Sequence, residues 1–107
     1  MVTQTFADGF DADFCKGEIK NCRFTQTGND GIDVSGSILL IKDTEIQYVG
    51  DKGFSVGEDS DASIISLRIK EAPIAIAVKD LSVLLVHEVF LEAVSYTHLT
   101  LPTILLV

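Results

Sequence analysis

The apolar positions of the chain fall into columns. Phe10, Ile32, Phe54 and Ile76 stand 22 residues apart, and Ala12, Val34, Val56 and Val78 repeat that spacing two positions later. Between and after them come Asp11, Asp33, Ser55, Ala77 and then Asp13, Ser35, Gly57, Lys79. Alternation at period two marks a strand with one face buried. The position just ahead of each strand holds Gly9, Gly31, Gly53 or Ala75, and a site restricted to small residues suits a bend or a close backbone approach. A second aligned set runs Ile19, Ile41, Ile64, Val86 and then Phe24, Ile46, Ile69, Leu91, with spacings of 22, 23 and 22. Comparing Ser37 with Ser60 places the extra residue in the turn around Gly57-Glu58-Asp59. Phe90 beside Leu91 leaves the last register open by one residue. A weaker third set, Thr27-Gly28, Val49-Gly50 and Ala72-Pro73, closes each copy with turn residues.

No stretch carries the i, i+3, i+4, i+7 pattern of an amphipathic helix. Four copies at a fixed period, each with two clear short strands and a third weaker one, predict an all-β solenoid. The period of 22–23 residues predicts a right-handed parallel β-helix of about four coils. The leucine-rich repeat pattern is missing, and so is the six-residue subperiod of hexapeptide helices. Coils stacked about 4.8 Å apart turn aligned positions into ladders, Phe10 over Ile32 over Phe54 over Ile76. Each buried aliphatic or Phe side chain is worth roughly 1.5–3 kcal/mol, so the apolar stack is the main stabilising term, offset by ordering entropy.

Asp8-Gly9-Phe10-Asp11-Ala12-Asp13, Gly28-Asn29-Asp30-Gly31-Ile32-Asp33 and Gly50-Asp51-Lys52-Gly53-Phe54-Ser55 resemble the phrases of secreted bacterial right-handed β-helix repeat proteins. Those proteins share the pectin-lyase-like fold. The resemblance spans about Phe6 to Ala93, and it is specific for fold rather than activity, because that superfold hosts lyases, hydrolases, adhesins and plain scaffolds. Val94-Ser95-Tyr96-Thr97-His98-Leu99-Thr100-Leu101-Pro102-Thr103 is expected to fit no coil. It is similar to the translation, in one frame, of a transposon-derived adapter used in preparing sequencing libraries. The expected division is therefore a β-helix fragment over 1–93 and a non-native tail over 94–107. On that reading neither end is a native cap, and caps are what solenoids need at their termini.

Charge narrows the partners. The sequence carries 16 acidic and 8 basic residues, a net charge of −8. That argues against nucleic acid, whose binding rests on Lys and Arg at phosphates, and against anionic membrane surfaces. No apolar run approaches the roughly 20 residues of a membrane span. Met1-Val2-Thr3-Gln4-Thr5 is not a signal peptide. Since the repeat is under way at Phe6, the true start is expected upstream. Cys15 and Cys22 are too few for a disulfide framework and read as reduced thiols.

Candidate chemistry lies on the outward side of the first strand. Asp11 and Asp33 occupy equivalent places in adjacent coils, with Asp13 two residues along. Carboxylates about 5–7 Å apart repel, and a hard cation such as calcium relieves this. The resemblance implies the same site, since pectate-lyase-like enzymes hold calcium on an outer strand face beside an acidic polysaccharide. Lys79 projects from that face about 14 Å from Asp13, too far for a direct pair. Asp8, Asp30 and Lys52 form a column read as turn stabilisation. Asn21, Asp43, Ser66 and Glu88 align as a polar stack at a turn. His87 reads as a surface residue, and Arg23 and Arg68 as isolated. Phosphate loops, Ser/His/Asp arrangements and zinc spacings are all missing.

Two functions are expected from these residues. The first is a repeat scaffold of a secreted or cell-surface bacterial protein, with no complete active site, presenting a face to polysaccharide or to adjacent domains of the same protein. The second is part of a calcium-assisted polysaccharide lyase or hydrolase, with Asp11, Asp13 and Asp33 as metal ligands. The lack of a basic residue beside those carboxylates favours the first.

Overall fold

The computed structural model describes residues 1–79, 81–99 and 104–106, with side chains as far as residue 95. Its strands wind into a parallel β-solenoid of about four turns, with no helix among the described residues. Each turn passes over three faces. The first face stacks β2 (Phe10–Asp13), β5 (Ile32–Ser35), β8 (Lys52–Val56) and the C-terminal half of β10 (Leu67–Val78). The second stacks β3 (Lys16–Lys20), β6 (Ile38–Lys42), β9 (Asp61–Ile64), β11 (Val83–Val86) and β13 (Ile104–Leu106). The third stacks β1 (Val2–Thr5), β4 (Arg23–Thr27), β7 (Thr44–Val49), the N-terminal half of β10, and β12 (Val89–Leu99).

Every apolar column read from the sequence is a register column in space. Phe10 pairs with Ile32, Ile32 with Phe54 and Phe54 with Ile76. Ile19, Ile41, Ile64 and Val86 stack on the second face, and Phe24, Ile46, Ile69 and Leu91 on the third. The last pairing fixes Leu91, not Phe90, as the inward member. Ile32, Phe54, Ile41, Ile46, Ile64, Ile69 and Leu84 are fully buried and make one continuous core. The extra residue of the third coil lies at the turn through Glu58 and Asp59, and Asp61 resumes pairing with Ile38.

Left-handed residues make the corners. Phe14, Gly36, Asp59 and Leu81 all have positive φ between the first and second faces. Gln4, Gln26, Tyr48, Glu71 and Ala93 do the same inside the third-face strands. A single left-handed residue inserts one extra position into the in-out alternation. Inward residues there stand three apart rather than two: Phe24 to Thr27, Ile46 to Val49, Ile69 to Ala72. This is why the third set looked weak under a period-two template.

The small-residue column is a close approach. A β-carbon on Gly31 would fall 2.5 Å from Ile46 Cγ2 and 2.7 Å from the Gly53 carbonyl oxygen. One on Gly53 would meet the Ala75 carbonyl at 2.7 Å and Ile69 Cγ2 at 2.8 Å. The third-face Phe24, Ile46 and Ile69 thus occupy the room the glycines leave.

A buried hydroxyl ladder joins the first and second faces. The Cys15 amide donates to Ser37 Oγ at 3.1 Å, the Ser37 amide to Ser60 Oγ at 3.1 Å, and the Ser60 amide to Ser82 Oγ at 3.0 Å. The hydroxyls in turn donate to carbonyls, Ser37 to Ser35, Ser60 to Glu58 and Ser82 to Gly57. The buried Ser37 and Ser60 amides and the three buried hydroxyls at this turn are therefore satisfied, as burial demands.

The winding continues past Ala93, where the sequence pattern was expected to stop. Val94 pairs with Ala72 and Tyr96 with Ile74 along β10. Parallel pairing asks only for backbone N–H and C=O groups, which these residues supply. Val94 also follows Ala72 by 22 residues, and it is partly buried against the core as the next member of that column. At the other end, β1 carries the repeat back to Val2, which pairs with Phe24.

Candidate functional site

The outward side of the first face gathers carboxylates. Asp11 pairs with Asp33 and Asp33 with Ser55 across β2, β5 and β8, because their partners Phe10, Ile32 and Phe54 take the inward positions. The chain reaches β2 through Asp8-Gly9, and Asp8 folds onto the same patch. One carboxylate oxygen from each of Asp8, Asp11 and Asp33 lies within 4.8 Å of the others. Asp13, two residues beyond Asp11, is not one of that trio; it pairs in register with Ser35. The structure thus keeps Asp11 and Asp33 together and adds Asp8, which the sequence reading gave to turn stabilisation alone.

Asp8 and Asp30 do stabilise the turn. Asp8 Oδ1 accepts from the Asp30 amide and from Asn29 Nδ2, each at 2.9 Å. Asp30 Oδ1 accepts from the Lys52 amide at 3.1 Å. The Lys52 ammonium sits 4.0 Å from the same Asp30 oxygen and donates to Asp51 Oδ2 at 2.7 Å. Asp30 is buried, and that burial raises its pKa against the lowering pull of Lys52. Lys52 is raised in turn, first by its hydrogen bond to Asp51.

Asp33 carries the clearest electrostatic mark of the patch. Burial, then the charges of Asp30 and Asp8, push it up to about 6, while a hydrogen bond from the Ser55 hydroxyl pulls the other way. A carboxyl raised by desolvation and like charge holds its proton into mildly acidic solution. Chemically the patch can bind a hard cation once Asp33 is ionised.

A second feature follows the corner between the second and third faces. Here Asn21, Asp43, Ser66 and Glu88 stack as read from the sequence, and beside them run Arg23, Glu45, Arg68 and Phe90 in direct register. The two rows line one groove of about 540 Å³. Arg23 reaches Glu45 at 3.9 Å, and the Arg68 guanidinium lies 4.9 Å from the centre of the Phe90 ring. The arginines read as isolated in the sequence therefore share one concavity. Their spacing, two rungs of the same column, was the signal that would have found it.

The remaining candidates stay apart. His87 is exposed, its amide bonded to the Ile64 carbonyl at 2.8 Å. Lys79 is exposed, its amide bonded to the Val56 carbonyl at 2.9 Å. Cys15 and Cys22 are free thiols whose sulfurs donate to the carbonyls of Asp13 and Lys20. No helix among the described residues is long and apolar enough to cross a membrane. No family model, no curated protein and no solved structure matches the chain.

Proposed function

We propose that the chain is a scaffold section of a secreted or cell-surface bacterial protein, built as a right-handed β-helix of pectin-lyase-like type and presenting an outer face to glycan or to a neighbouring domain. One observation carries this reading. Apolar, serine and aspartate ladders run from coil to coil, so the fold is devoted to holding long regular faces. The same view takes residues 94–107 as adapter-derived, on the strength of their sequence alone; recovery of the uninterrupted gene tests it.

The trio Asp8, Asp11 and Asp33 supports a second reading, a section of a calcium-assisted polysaccharide lyase or hydrolase. Calcium titration followed by thermal melting separates the two. The scaffold reading expects no shift at pH 7.5 and no unsaturated product when polygalacturonate and calcium are added. Saturable stabilisation, abolished by Asp11→Ala, transfers support to the lyase reading.

A further inference from the structure

We propose that the groove at the corner between the second and third faces binds an extended, uncharged glycan, with Arg23, Glu45, Arg68 and Phe90 as its contact row. This rests on the glycan-presenting reading and gives it a place and a ligand class.

Three observations converge. First, Arg23 and Arg68 are the only arginines of a chain with net charge −8, and both line this groove. Second, register makes the contact row a ruler: Arg23, Glu45, Arg68 and Phe90 sit on successive rungs about 4.8 Å apart. That step is close to the length of one pyranose in a flat, extended chain, so one sugar meets one rung. Third, the row mixes what a sugar ring needs. Guanidiniums donate to hydroxyls, Glu45 accepts from them, and Phe90, 53% exposed, offers a face for the ring's C–H surface. Arg68 packed against Phe90 holds both side chains in place before a ligand arrives, which lowers the ordering cost of binding.

Charge selects against acidic polymers. Arg23 and Arg68 share the groove with Asp43, Glu45 and Glu88, and Met1 also lines it. Asp43 is opposed by no described cation, so an acidic polymer finds no cationic excess there. A peptide strand has no purchase either, because the neighbouring backbone groups are already paired in the parallel ladder. The volume, about 540 Å³, lies in the range of small-ligand sites.

Calorimetric titration of the 107-residue chain with cellohexaose, maltohexaose and hexagalacturonate tests the assignment. Saturable binding of cellohexaose alone is expected, weakened about tenfold or more by Phe90→Ala or by Arg68→Lys and unchanged by Asp61→Asn, an exposed position of the second face. Both groove side chains are exposed, and melting curves confirm that the variants fold; Arg68→Lys keeps the charge and removes the planar fork. No saturable binding of cellohexaose overturns the proposal. So does tighter binding of hexagalacturonate, equal binding of coiled maltohexaose, or wild-type affinity in both groove variants. Loss of binding in Asp33→Asn moves the glycan to the acidic face, which sinks the groove and leaves the scaffold reading standing.

Discussion

At the scale of single residues the structure names two side chains whose present chemistry works against stability. Thr27 Oγ1 is buried without a hydrogen-bond partner, in a column that continues through Thr5 on one side and Val49, Ala72 and Val94 on the other. A buried hydroxyl left unsatisfied costs about 1–3 kcal/mol. Thr27→Val, which removes only that group, should therefore raise unfolding free energy by about 1 kcal/mol in denaturant titrations. Asp33 is the other. Its folded pKa, near 6 against an ordinary 3.8, means the folded state binds the extra proton between those values. Stability from this group is then present at low pH and declines as pH rises through 6. Asp33→Asn should raise the melting temperature at pH 7.5 by a few degrees, equivalent to about 1 kcal/mol after solvent screening. At pH 4 the wild type and variant should melt within a degree or so of each other. A wild type that instead loses stability between pH 6 and pH 4.5 through Asp33 would reverse the sign.

At the scale of the element, the serine ladder shows what a sequence conceals. Cys15, Ser37, Ser60 and Ser82 keep the same 22, 23, 22 spacing as the apolar columns, yet a search for buried positions passes over serine. Only the structure shows that Ser37, Ser60 and Ser82 are buried and bonded between coils. Ser60→Ala should cost about 1–3 kcal/mol, because the Ser37 amide loses its acceptor in a buried turn. Ser63, half-buried on the outward side of β9, is the control whose replacement should change stability by under about 0.5 kcal/mol. The apolar columns themselves were legible because period-two alternation leaves no second choice for Ile32 or Phe54. The third face was legible only as far as Phe24, Ile46 and Ile69, since Gln26, Tyr48 and Glu71 turn left-handed and break that alternation before Thr27, Val49 and Ala72. Nothing about glutamine, tyrosine or glutamate announces such a conformation. The acidic site was half legible: Asp11 and Asp33 follow from register, while Asp8 arrives through the turn at Gly9, whose path no periodicity encodes.

At the scale of the molecule, the N-terminal end of the solenoid is open among the described residues. β2 and β3 each pair on one side only, as the outermost strands of their sheets. Phe10 and Ala12 are accordingly only partly buried, beside core partners Ile32 and Val34 that are sealed. Exposed parallel edges of this kind template further pairing. The expressed chain should therefore associate as its concentration rises from micromolar to hundreds of micromolar, read by light scattering coupled to gel filtration. Lys substitutions at Phe10 and Ala12 should restore the monomer by placing charge on that edge. A monomer at every concentration would show that the edge is already guarded.

The ladders also decide how such a chain can change length. Each side chain finds its neighbour one winding away, so a single residue lost inside β6 would send Ile41 outward and Lys42 inward. Excision of a whole winding does no such thing. Removing residues 38–60 would bring Ser37 beside Ser82, Ile19 beside Ile64 and Ile32 beside Ile76, so the apolar and serine columns stay continuous. Evolution of this architecture by duplication or loss is thereby quantised: the tolerated step is one complete circuit of the chain.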